Sequence, residues 1–283
     1  MKKLRIAVGL VFAVAVFSVY AADVAAPAKG AGKSETAAFD RSEQACAERA
    51  KLFEVGGLKK LTGVDTPLKA GMKISFFGDS ITMQGGYINT IQAGLKAGEG
   101  TKAMDVKLIR HGLNGGRVPT MLEGKSPWGD LKGTMESLIA TDKADVVVIY
   151  LGVNDVWHGK NGTNPEDFEA GLRKMVDMGK KSGAKVALAT LAMIGEKTSS
   201  DNDQEKKLDQ YAEITCKVGA DTGVPVANLR KVFRAYCQNH ADELNVKGKK
   251  GGLLSYDGVH LKGKGCDLAA ELIAQAICEA FKK

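Results

Sequence analysis

The sequence lacks the signatures of several common functional classes. Aromatic residues make up only 6% of the 283 residues, and no basic stripe interleaved with aromatic residues, of the kind that binds nucleic acid, is present. The five cysteines form no Cys-x-x-Cys pair, and none lies near a histidine at the spacing of zinc ligands. No glycine-rich segment matches the G-x-G-x-x-G or P-loop pattern. These absences argue against a nucleic-acid-binding protein, a zinc protein and a nucleotide-binding α/β domain.

Long apolar runs are also scarce, and the one that stands out lies at the N-terminus. A positively charged start (2–5) precedes an apolar run (6–20), and small residues follow it at Ala21 and Ala22. This order predicts a secretory signal peptide over residues 1–22, with an uncleaved anchor as the alternative, because the run is short and no stop-transfer charges follow it. No second stretch is long enough to cross a bilayer. We therefore expect a secreted or periplasmic protein without stable membrane insertion after cleavage.

The remaining chain has the size of one domain with a substantial core. Residues 23–70 are predicted to form a flexible lead-in and N-terminal extension, and residues 71–283 the domain itself. The formal net charge is +7, and three of the positive charges lie in the signal segment, so about +4 remains. A charge this small does not argue for a nucleic-acid partner.

All five cysteines follow the signal segment. In an oxidising compartment they allow up to two disulfides and leave one thiol over. Most of the pairing is expected in the C-terminal half of the chain, which contains four of the five. The cysteines are Cys46, Cys216, Cys237, Cys266 and Cys278.

Short apolar segments alternate along the chain with longer amphipathic ones. Strands are predicted at residues 73–77, 104–109, 145–151, 185–191 and 224–227. Helices are predicted at residues 81–95, 130–141, 165–182, 202–222, 229–238 and 265–281, with Asn164 as the cap of the third. The repeated strand–helix order predicts a three-layer α/β/α sandwich around a mostly parallel sheet. Ligands bind such sheets beyond the carboxyl ends of the strands.

Two glycine-containing motifs follow the first two predicted strands. Gly78-Asp79-Ser80 places the Ser80 hydroxyl at the carboxyl edge of the sheet, with its N–H at a helix start that favours anions. The segment Gly112-Leu113-Asn114-Gly115-Gly116 can approach a ligand closely and expose a backbone N–H. Taken singly, the first motif is equally typical of a helix cap and the second of a tight turn.

Two further motifs carry an amide and an imidazole. Asn154, within Leu151–Asp155, follows the most apolar strand and can either donate to a developing oxyanion or cap the next segment. In Asp257-Gly258-Val259-His260 the carboxylate can lie against the imidazole, set its tautomer and stabilise the imidazolium formed when histidine accepts a serine proton. A lone histidine is ordinarily a surface or structural residue, so neither motif decides the function by itself.

Taken together and in this order, the motifs resemble those of the SGNH (GDSL) hydrolase superfamily over residues 73–281. Gly78-Asp79-Ser80 is similar to its Gly-Asp-Ser motif, Gly152-Val153-Asn154-Asp155 to its Gly-x-Asn-Asp motif, and Asp257 to His260 to its Asp-x-x-His motif. The glycine segment matches less tightly, since Asn114 replaces a common serine. The alignment makes Gly115 the oxyanion glycine and leaves Gly116 as an open alternative. The resemblance implies a flavodoxin-like sheet.

The resemblance also implies a mechanism. Ser80 would attack an ester carbonyl, His260 would act as general base and then general acid, and Asp257 would orient His260. The N–H groups of Ser80 and Gly115 and the side-chain amide of Asn154 would bind the oxyanion. No metal or organic cofactor is implied.

Several residues near these motifs are candidates for holding substrate or the turns themselves. Asp79 and Asp155 are expected to hold their turns, and Asp79 is also a candidate substrate contact. Trp157 can stack on a sugar ring, form a wall of the pocket or lie in the core. His158 lies three residues after Asp155 and is interpreted as a binding or structural residue, because the superfamily places its base near the C-terminus. The pocket walls are expected in residues 116–128, 156–164 and 194–203.

The expected function is therefore hydrolysis of short-chain esters, in particular acetyl esters on a carbohydrate, by an exported serine esterase. Its substrate would be a small molecule or a polysaccharide. A lipase, lysophospholipase or thioesterase of the same superfamily is the alternative among enzymes. A non-catalytic carbohydrate-binding protein on this fold is a further one, although every residue that the mechanism needs is present.

Overall fold

The computed structural model of the chain describes residues 39–199, 203–244 and 252–282. In these ranges five parallel strands form the central sheet and two short antiparallel strands form a separate ribbon. In chain order the strands are β1 (Lys73–Gly78), β2 (Lys107–Gly112), β3 (Lys125–Ser126), β4 (Gly129–Asp130), β5 (Val146–Tyr150), β6 (Lys185–Ala189) and β7 (Val226–Ala227). The predicted signal peptide, residues 1–22, lies outside the described residues.

Helices precede, connect and follow the strands of the sheet. Within the described ranges they are α1 (Glu43–Ala50), α2 (Gly57–Thr62), α3 (Ser80–Gln84), α4 (Gly86–Ala97), α5 (Val118–Glu123), α6 (Met135–Asp142), α7 (Val153–Trp157), α8 (Pro165–Lys181), α9 (Asp203–Thr222), α10 (Leu229–Asn239), α11 (Ala241–Leu244) and α12 (Lys264–Ala280). None of these helices is both long and apolar enough to cross a membrane.

The central sheet has the strand order β2-β1-β5-β6-β7. Counting only its own strands in chain order, this is the order 2-1-3-4-5 of flavodoxin-like folds. The predicted fold class is therefore confirmed. β5 lies in the middle of the sheet, and all five of its residues are buried, as the nearly continuous apolar run from 145 to 151 predicts. Strand order reverses between β1 and β5, so the ends of these two strands flank the crevice where ligands bind in such sheets.

The structure corrects the prediction of one continuous helix over residues 81–95. The helix is interrupted at Gly85, which has a left-handed backbone (φ 71°) and separates α3 from α4. A side chain is disfavoured there by the left-handed backbone, and a Cβ would also displace the Arg110 guanidinium, since it would lie 1.8 Å from Nη1. The apolar spacing continues across the break, which is why periodicity alone does not reveal it.

Two further elements begin three or more residues later than predicted. β2 begins at Lys107 instead of residue 104, because it is a half-exposed edge strand whose polar residues weaken the apolar pattern. The helix predicted from residue 130 begins at Met135, after the ribbon β3–β4, and the Thr134 side chain caps it by accepting from the Ser137 N–H. The predicted cap of α8 is confirmed, since Asn164 accepts a hydrogen bond from the Asp167 N–H.

The region before residue 71 contains helices that the sequence did not predict. α2 packs against α12, and Leu61 of α2 is fully buried. The Leu58 N–H donates to a side-chain oxygen of Glu271 at 3.0 Å, and Lys60 donates to Gln275 at 2.8 Å. The boundary at residue 71 stays a prediction, but part of the segment before it contributes to the core.

The prediction of disulfides is wrong, because the structure holds all five cysteines as free thiols. Cys266 and Cys278 illustrate the reason, since both lie in α12, twelve residues apart. At a rise of about 1.5 Å per residue this separation is roughly 18 Å, whereas a disulfide needs Cα atoms within about 7 Å.

The contact between α2 and α12 leaves no room for a side chain at Gly57. A Cβ there would lie 2.0 Å from the backbone oxygen of Glu271 and 2.6 Å from the backbone nitrogen of Gln275. We expect Gly57→Ala to lower the free energy of unfolding by roughly 1–3 kcal/mol, measured by urea denaturation. Gly94→Ala is the matched control, because its Cβ would meet only side-chain atoms at 3.5 Å and 3.6 Å. Equal stability of the two variants would contradict this packing.

Candidate active site

The turn after β1 presents the Ser80 hydroxyl at the carboxyl edge of the sheet. Asp79 is the N-cap of α3, and its Oδ1 accepts a hydrogen bond of 2.9 Å from the Ile81 N–H. Gly78 has no room for a Cβ, which would lie 2.0 Å from Oγ1 of Thr82. Ser80 is the first residue of α3, so its N–H has no acceptor within the helix. The nucleophile candidate therefore combines a hydroxyl with an N–H at a helix start that has no acceptor among the described residues.

Three of the predicted site residues form one chain of hydrogen bonds. Nε2 of His260 lies 2.9 Å from Oγ of Ser80, and Nδ1 of His260 lies 2.5 Å from Oδ2 of Asp257. The other carboxylate oxygen of Asp257 accepts from the backbone N–H groups of Val259 and His260, at 3.0 Å and 2.8 Å. This arrangement can remove a proton from the Ser80 hydroxyl and hold the resulting imidazolium against a carboxylate.

Asp257 is held in its ionised form by its surroundings. Partial burial raises the pKa of this carboxyl, but hydrogen bonds from the side chain and backbone of His260 and from the Val259 N–H outweigh it. The net pKa of Asp257 lies below its usual value. The carboxylate is therefore available as an acceptor for the imidazole across the neutral pH range.

The turn after β2 supplies a backbone donor beside the nucleophile. Gly115 has a left-handed backbone (φ 61°), and its N–H donates to no acceptor within the described residues. The Gly116 N–H is engaged, donating to the Leu113 carbonyl at 2.8 Å. The Leu113 N–H in turn donates to the Gly78 carbonyl at 2.8 Å, which ties this turn to the Ser80 turn. Of the two glycines that the sequence left open, the geometry favours Gly115 as an oxyanion donor.

Asn154 lies at the mouth of β5, next to the same turn. It is buried, and Nδ2 donates one of its two hydrogens to the Gly116 carbonyl at 3.2 Å. The second hydrogen has no acceptor within the described residues. A side-chain amide fixed in this way can donate to charge that develops on a substrate oxygen, provided that the substrate lies beside Ser80.

Asp79 and Asp155 are buried carboxyl groups that hold backbone turns. Oδ1 of Asp155 accepts from the Val118 N–H at 3.0 Å, at the start of α5. Burial raises the pKa of Asp155 to about 6. Burial likewise raises the pKa of Asp79 to about 7, with the charge of Asp155 adding to the effect and the Ile81 N–H and His260 opposing it. Only 2% of Asp79 is exposed, which favours the capping role over a substrate contact.

Exposed aromatic rings lie on, or against, the segments that carry the site residues, and two of them were not singled out from the sequence. Trp157, at the end of α7, is exposed. The His158 ring stacks on Trp128, with centroids 5.4 Å apart and an interplanar angle of 15°. Trp128 belongs to the turn between β3 and β4 and covers Gly115, where a Cβ would lie 2.2 Å from its ring. Tyr256 stacks on His260 at 6.1 Å and donates its hydroxyl to Oε1 of Gln84. Its position directly before Asp257 is the one sequence signal that pointed to it.

The remaining histidines serve other contacts. Nε2 of His111 lies 2.6 Å from Oδ2 of Asp142, and the Ser75 hydroxyl donates to the same oxygen at 2.6 Å. This serine contacts the carboxylate and not the imidazole, so the order of groups differs from that at Ser80. His240 stacks on Tyr236 at 4.0 Å. Within residues 39–199, 203–244 and 252–282, no three His, Cys, Asp or Glu side chains are grouped to hold a metal ion.

Comparisons with known proteins agree with this geometry. The family model described as "GDSL-like Lipase/Acylhydrolase family" matches residues 76–268. The crystal structure of the acetyl xylan esterase AlAXEase shares 33% sequence identity, over 73% of this chain and 100% of that one, with a TM-score of 0.62. A search of the curated proteins finds no match.

Two further solved structures share the fold at lower identity. The acetylxylan esterase Axe2 from Geobacillus stearothermophilus is 22% identical over 74% of this chain and 95% of that one, with a TM-score of 0.59. LAE5, an alpha/beta hydrolase enzyme from the metagenome of Lake Arreo, Spain, is 20% identical over 75% of this chain and 97% of that one, with a TM-score of 0.58.

The raised pKa of Asp79 has a consequence for stability. The usual pKa of this group is 3.8 and its pKa in the folded protein is about 7, so between these values the folded state binds more protons than the unfolded state. The stability that neutral Asp79 contributes is therefore complete below about pH 4 and is lost as the pH rises towards 7. Asp79→Asn keeps the acceptor for the Ile81 N–H but does not ionise.

We expect the melting temperature of Asp79→Asn to exceed that of the wild type by a larger margin at pH 8 than at pH 5. The measurement is thermal unfolding followed by circular dichroism. Asp65→Asn, at an exposed position, controls for the loss of one negative charge. A margin that is independent of pH would show that burial does not perturb Asp79 in this way.

Proposed function

This chain belongs to the GDSL-like lipase/acylhydrolase family and is a carboxylic ester hydrolase, and on that premise we propose that it is an exported serine esterase that removes short acyl groups, in particular acetyl groups, from carbohydrate. The observation that carries the proposal is the hydrogen-bonded chain of Ser80, His260 and Asp257 at the switch point of the sheet. The predicted signal peptide over residues 1–22 supports export.

The first chemical step is attack of the Ser80 hydroxyl on the ester carbonyl. Nε2 of His260, at 2.9 Å from Oγ, accepts the Ser80 proton as the new C–O bond forms. Nδ1 of His260 carries the proton that points at Asp257. Because its pKa is lowered, Asp257 stays ionised beside the imidazolium. The roles assigned here rest on these contacts together with the order of the motifs.

The negative charge that develops on the carbonyl oxygen requires donors already in place. Within the described part of the chain the N–H groups of Ser80 and Gly115 have no acceptor, and the Asn154 amide is oriented by its bond to the Gly116 carbonyl. Donors held in this way do not reorganise when the charge appears, which is the condition for strong stabilisation of the oxyanion. Loss of one such donor typically lowers kcat by roughly 10²–10³-fold.

Collapse of the tetrahedral intermediate releases the alcohol. His260 donates its Nε2 proton to the leaving oxygen, and the acyl group remains on Ser80 as an ester. A water molecule, deprotonated by His260, then attacks this acyl-enzyme and the carboxylic acid departs. The protein returns to its initial protonation state.

A carbohydrate alcohol is supported by two independent observations. The structure with 33% identity is that of an acetyl xylan esterase. In this chain two aromatic side chains, Trp157 on the helix that contains Asn154 and Tyr256 directly before Asp257, are each at least 38% exposed. Exposed aromatic faces of this kind offer broad apolar surface with a polar edge, which suits a sugar ring.

A small acyl group is supported by the position of Trp128. Its ring covers Gly115, the proposed oxyanion donor, and is itself backed by the His158 ring. An acyl chain that extends from a carbonyl beside Gly115 towards Trp128 meets the indole ring after a short distance. The bulk of Trp128 therefore favours acetyl over longer acyl groups.

Replacement of Ser80 by alanine removes the nucleophile. We expect Ser80→Ala to lower kcat for p-nitrophenyl acetate by about 10⁴-fold or more, and to abolish acetate release from acetylated xylo-oligosaccharides. Ser182→Ala, at the end of α8, is a matched control that should keep full activity. Equal activity of Ser80→Ala and the wild type would exclude Ser80 as the nucleophile.

Removal of the Trp128 ring should open the acyl side of the site. We expect Trp128→Ala to raise the ratio of kcat/KM for p-nitrophenyl butyrate to that for the acetate by about tenfold, because two extra methylenes gain space. Trp128→Phe should give an intermediate ratio. An unchanged ratio in both variants would show that Trp128 does not limit the length of the acyl chain and that the acyl group binds elsewhere.

A further inference from the structure

We propose that Glu196 is a positioning residue. It holds the loop that carries Asp257 and His260 so that the His260 imidazole stays within hydrogen-bond distance of the Ser80 hydroxyl. The proposal rests on the proposed function of this site. Glu196 lies in the loop that follows β6, at the carboxyl edge of the sheet. It touches none of the three side chains of the hydrogen-bonded chain, so it would act through the backbone that carries two of them.

The Glu196 carboxylate binds the base of that loop through four hydrogen bonds. Oε2 accepts from the Leu253 N–H at 2.5 Å. Oε1 accepts from the N–H groups of Leu254 and Ser255, at 3.1 Å and 2.8 Å, and from the Ser255 hydroxyl at 2.7 Å. Consecutive backbone N–H groups that converge on one anion form a nest, and hydrogen bonds to an ionised acceptor are the stronger kind. Here the anion is a side chain of the protein itself.

The residues that Glu196 holds also close the turn that contains Asp257 and His260. Ser255 pairs with Leu261 in an isolated antiparallel bridge. Between them, the Tyr256 N–H donates to the His260 carbonyl at 3.2 Å. The turn is therefore joined at its base to a segment whose N–H groups are fixed by Glu196.

A second contact reaches the tip of the same turn. The Ser255 hydroxyl, which donates to Glu196, also accepts from the Gly258 N–H at 3.0 Å. The Gly258 carbonyl accepts from the Gly195 N–H at 2.8 Å. Gly195 and Glu196 thus hold the turn from both ends, one through the tip and the other through the base.

The fit between the loop and the carboxylate is close. A Cβ at Gly252 would lie 1.9 Å from Cδ of Glu196, so the loop wraps the carboxylate without space for a side chain. Gly258 has a left-handed backbone (φ 93°), and a Cβ there would lie 3.1 Å from Cα of Gly195. Neither glycine contacts a reacting group, and both allow the approach of the segment that includes Glu196.

Loss of the Glu196 charge should therefore displace His260 relative to Ser80. Glu196→Gln keeps the size of the side chain but turns an NH₂ group towards backbone N–H donors. Because a displacement of 1 Å can lower the rate about 100-fold, we expect kcat for p-nitrophenyl acetate to fall by about 10–100-fold. KM should stay within about threefold, since Glu196 does not contact the substrate.

Glu243→Gln is the matched control. Glu243 and Glu196 line the same open cavity beside Gly252 and Asp257, but the Glu243 carboxylate forms no hydrogen bond to the loop within the described residues. This variant removes the same charge and should keep the wild-type kcat. An equal loss of kcat in both variants would assign the effect to net charge and overturn the proposal.

Chemical rescue tests the nest directly. Glu196→Ala leaves the three N–H groups without their anion and makes space for a small carboxylate. We expect formate to restore kcat in a saturable manner, whereas chloride at the same ionic strength should not. If Glu196→Ala does not fold, Ser255→Ala removes one of the four bonds, together with the acceptor of the Gly258 N–H, and should give a smaller fall in kcat at unchanged KM.

A proton NMR measurement separates this proposal from the proposed function. The downfield resonance of the Nδ1 proton shared between His260 and Asp257, assigned by its loss in His260→Ala, should be lost or shifted in Glu196→Gln and kept in Glu243→Gln. It reports the geometry without turnover, so it remains decisive even if the wild type hydrolyses no ester. An unchanged resonance together with a kcat within about twofold of the wild type would overturn the role of Glu196.

Discussion

The contact between the Ser80 hydroxyl and the His260 imidazole is the interaction on which the site depends. The two residues are 180 positions apart in the chain, yet their side-chain atoms lie 2.9 Å apart. Ser80 is held by the turn that leaves β1, and His260 by a loop with no strand or helix of its own. The parallel sheet fixes the first, and the hydrogen bonds of Glu196 and Gly195 to the 252–258 loop restrain the second.

Three carboxyl groups near this contact have different protonation behaviour because their surroundings differ. Asp257 accepts hydrogen bonds from an imidazole and two backbone N–H groups, so its pKa is lowered. Asp79 and Asp155 are buried with fewer donors, and their pKa values rise to about 7 and about 6. The site therefore combines one carboxylate that remains charged with two carboxyl groups that hold turns. Burial and hydrogen bonding, and not residue type, decide which is which.

Much of the fold could be predicted because its signals are local. Residues 146–149 are apolar and β-branched, since β5 is covered on both faces, and Asn164 caps α8 through a neighbour three residues away. The break at Gly85 was missed because the apolar spacing continues through it. α2 was missed because its burial depends on α12, more than 200 positions later, and α1 packs against α10, which begins only at Leu229.

The sequence by itself determined the fold class and the Ser80, Asn154 and Asp257–His260 motifs. The alternation of strands and helices along the chain and the short motifs are both properties of neighbouring residues. Only the tertiary structure favours Gly115 over Gly116 as the proposed oxyanion donor, since the Gly116 N–H already donates to the Leu113 carbonyl. It also placed Trp128 over Gly115, and it brought Glu196 to N–H groups 57–59 positions away. Such contacts form between segments that are distant in the chain. Their geometry depends on the packing of the whole sheet edge, which no local pattern encodes.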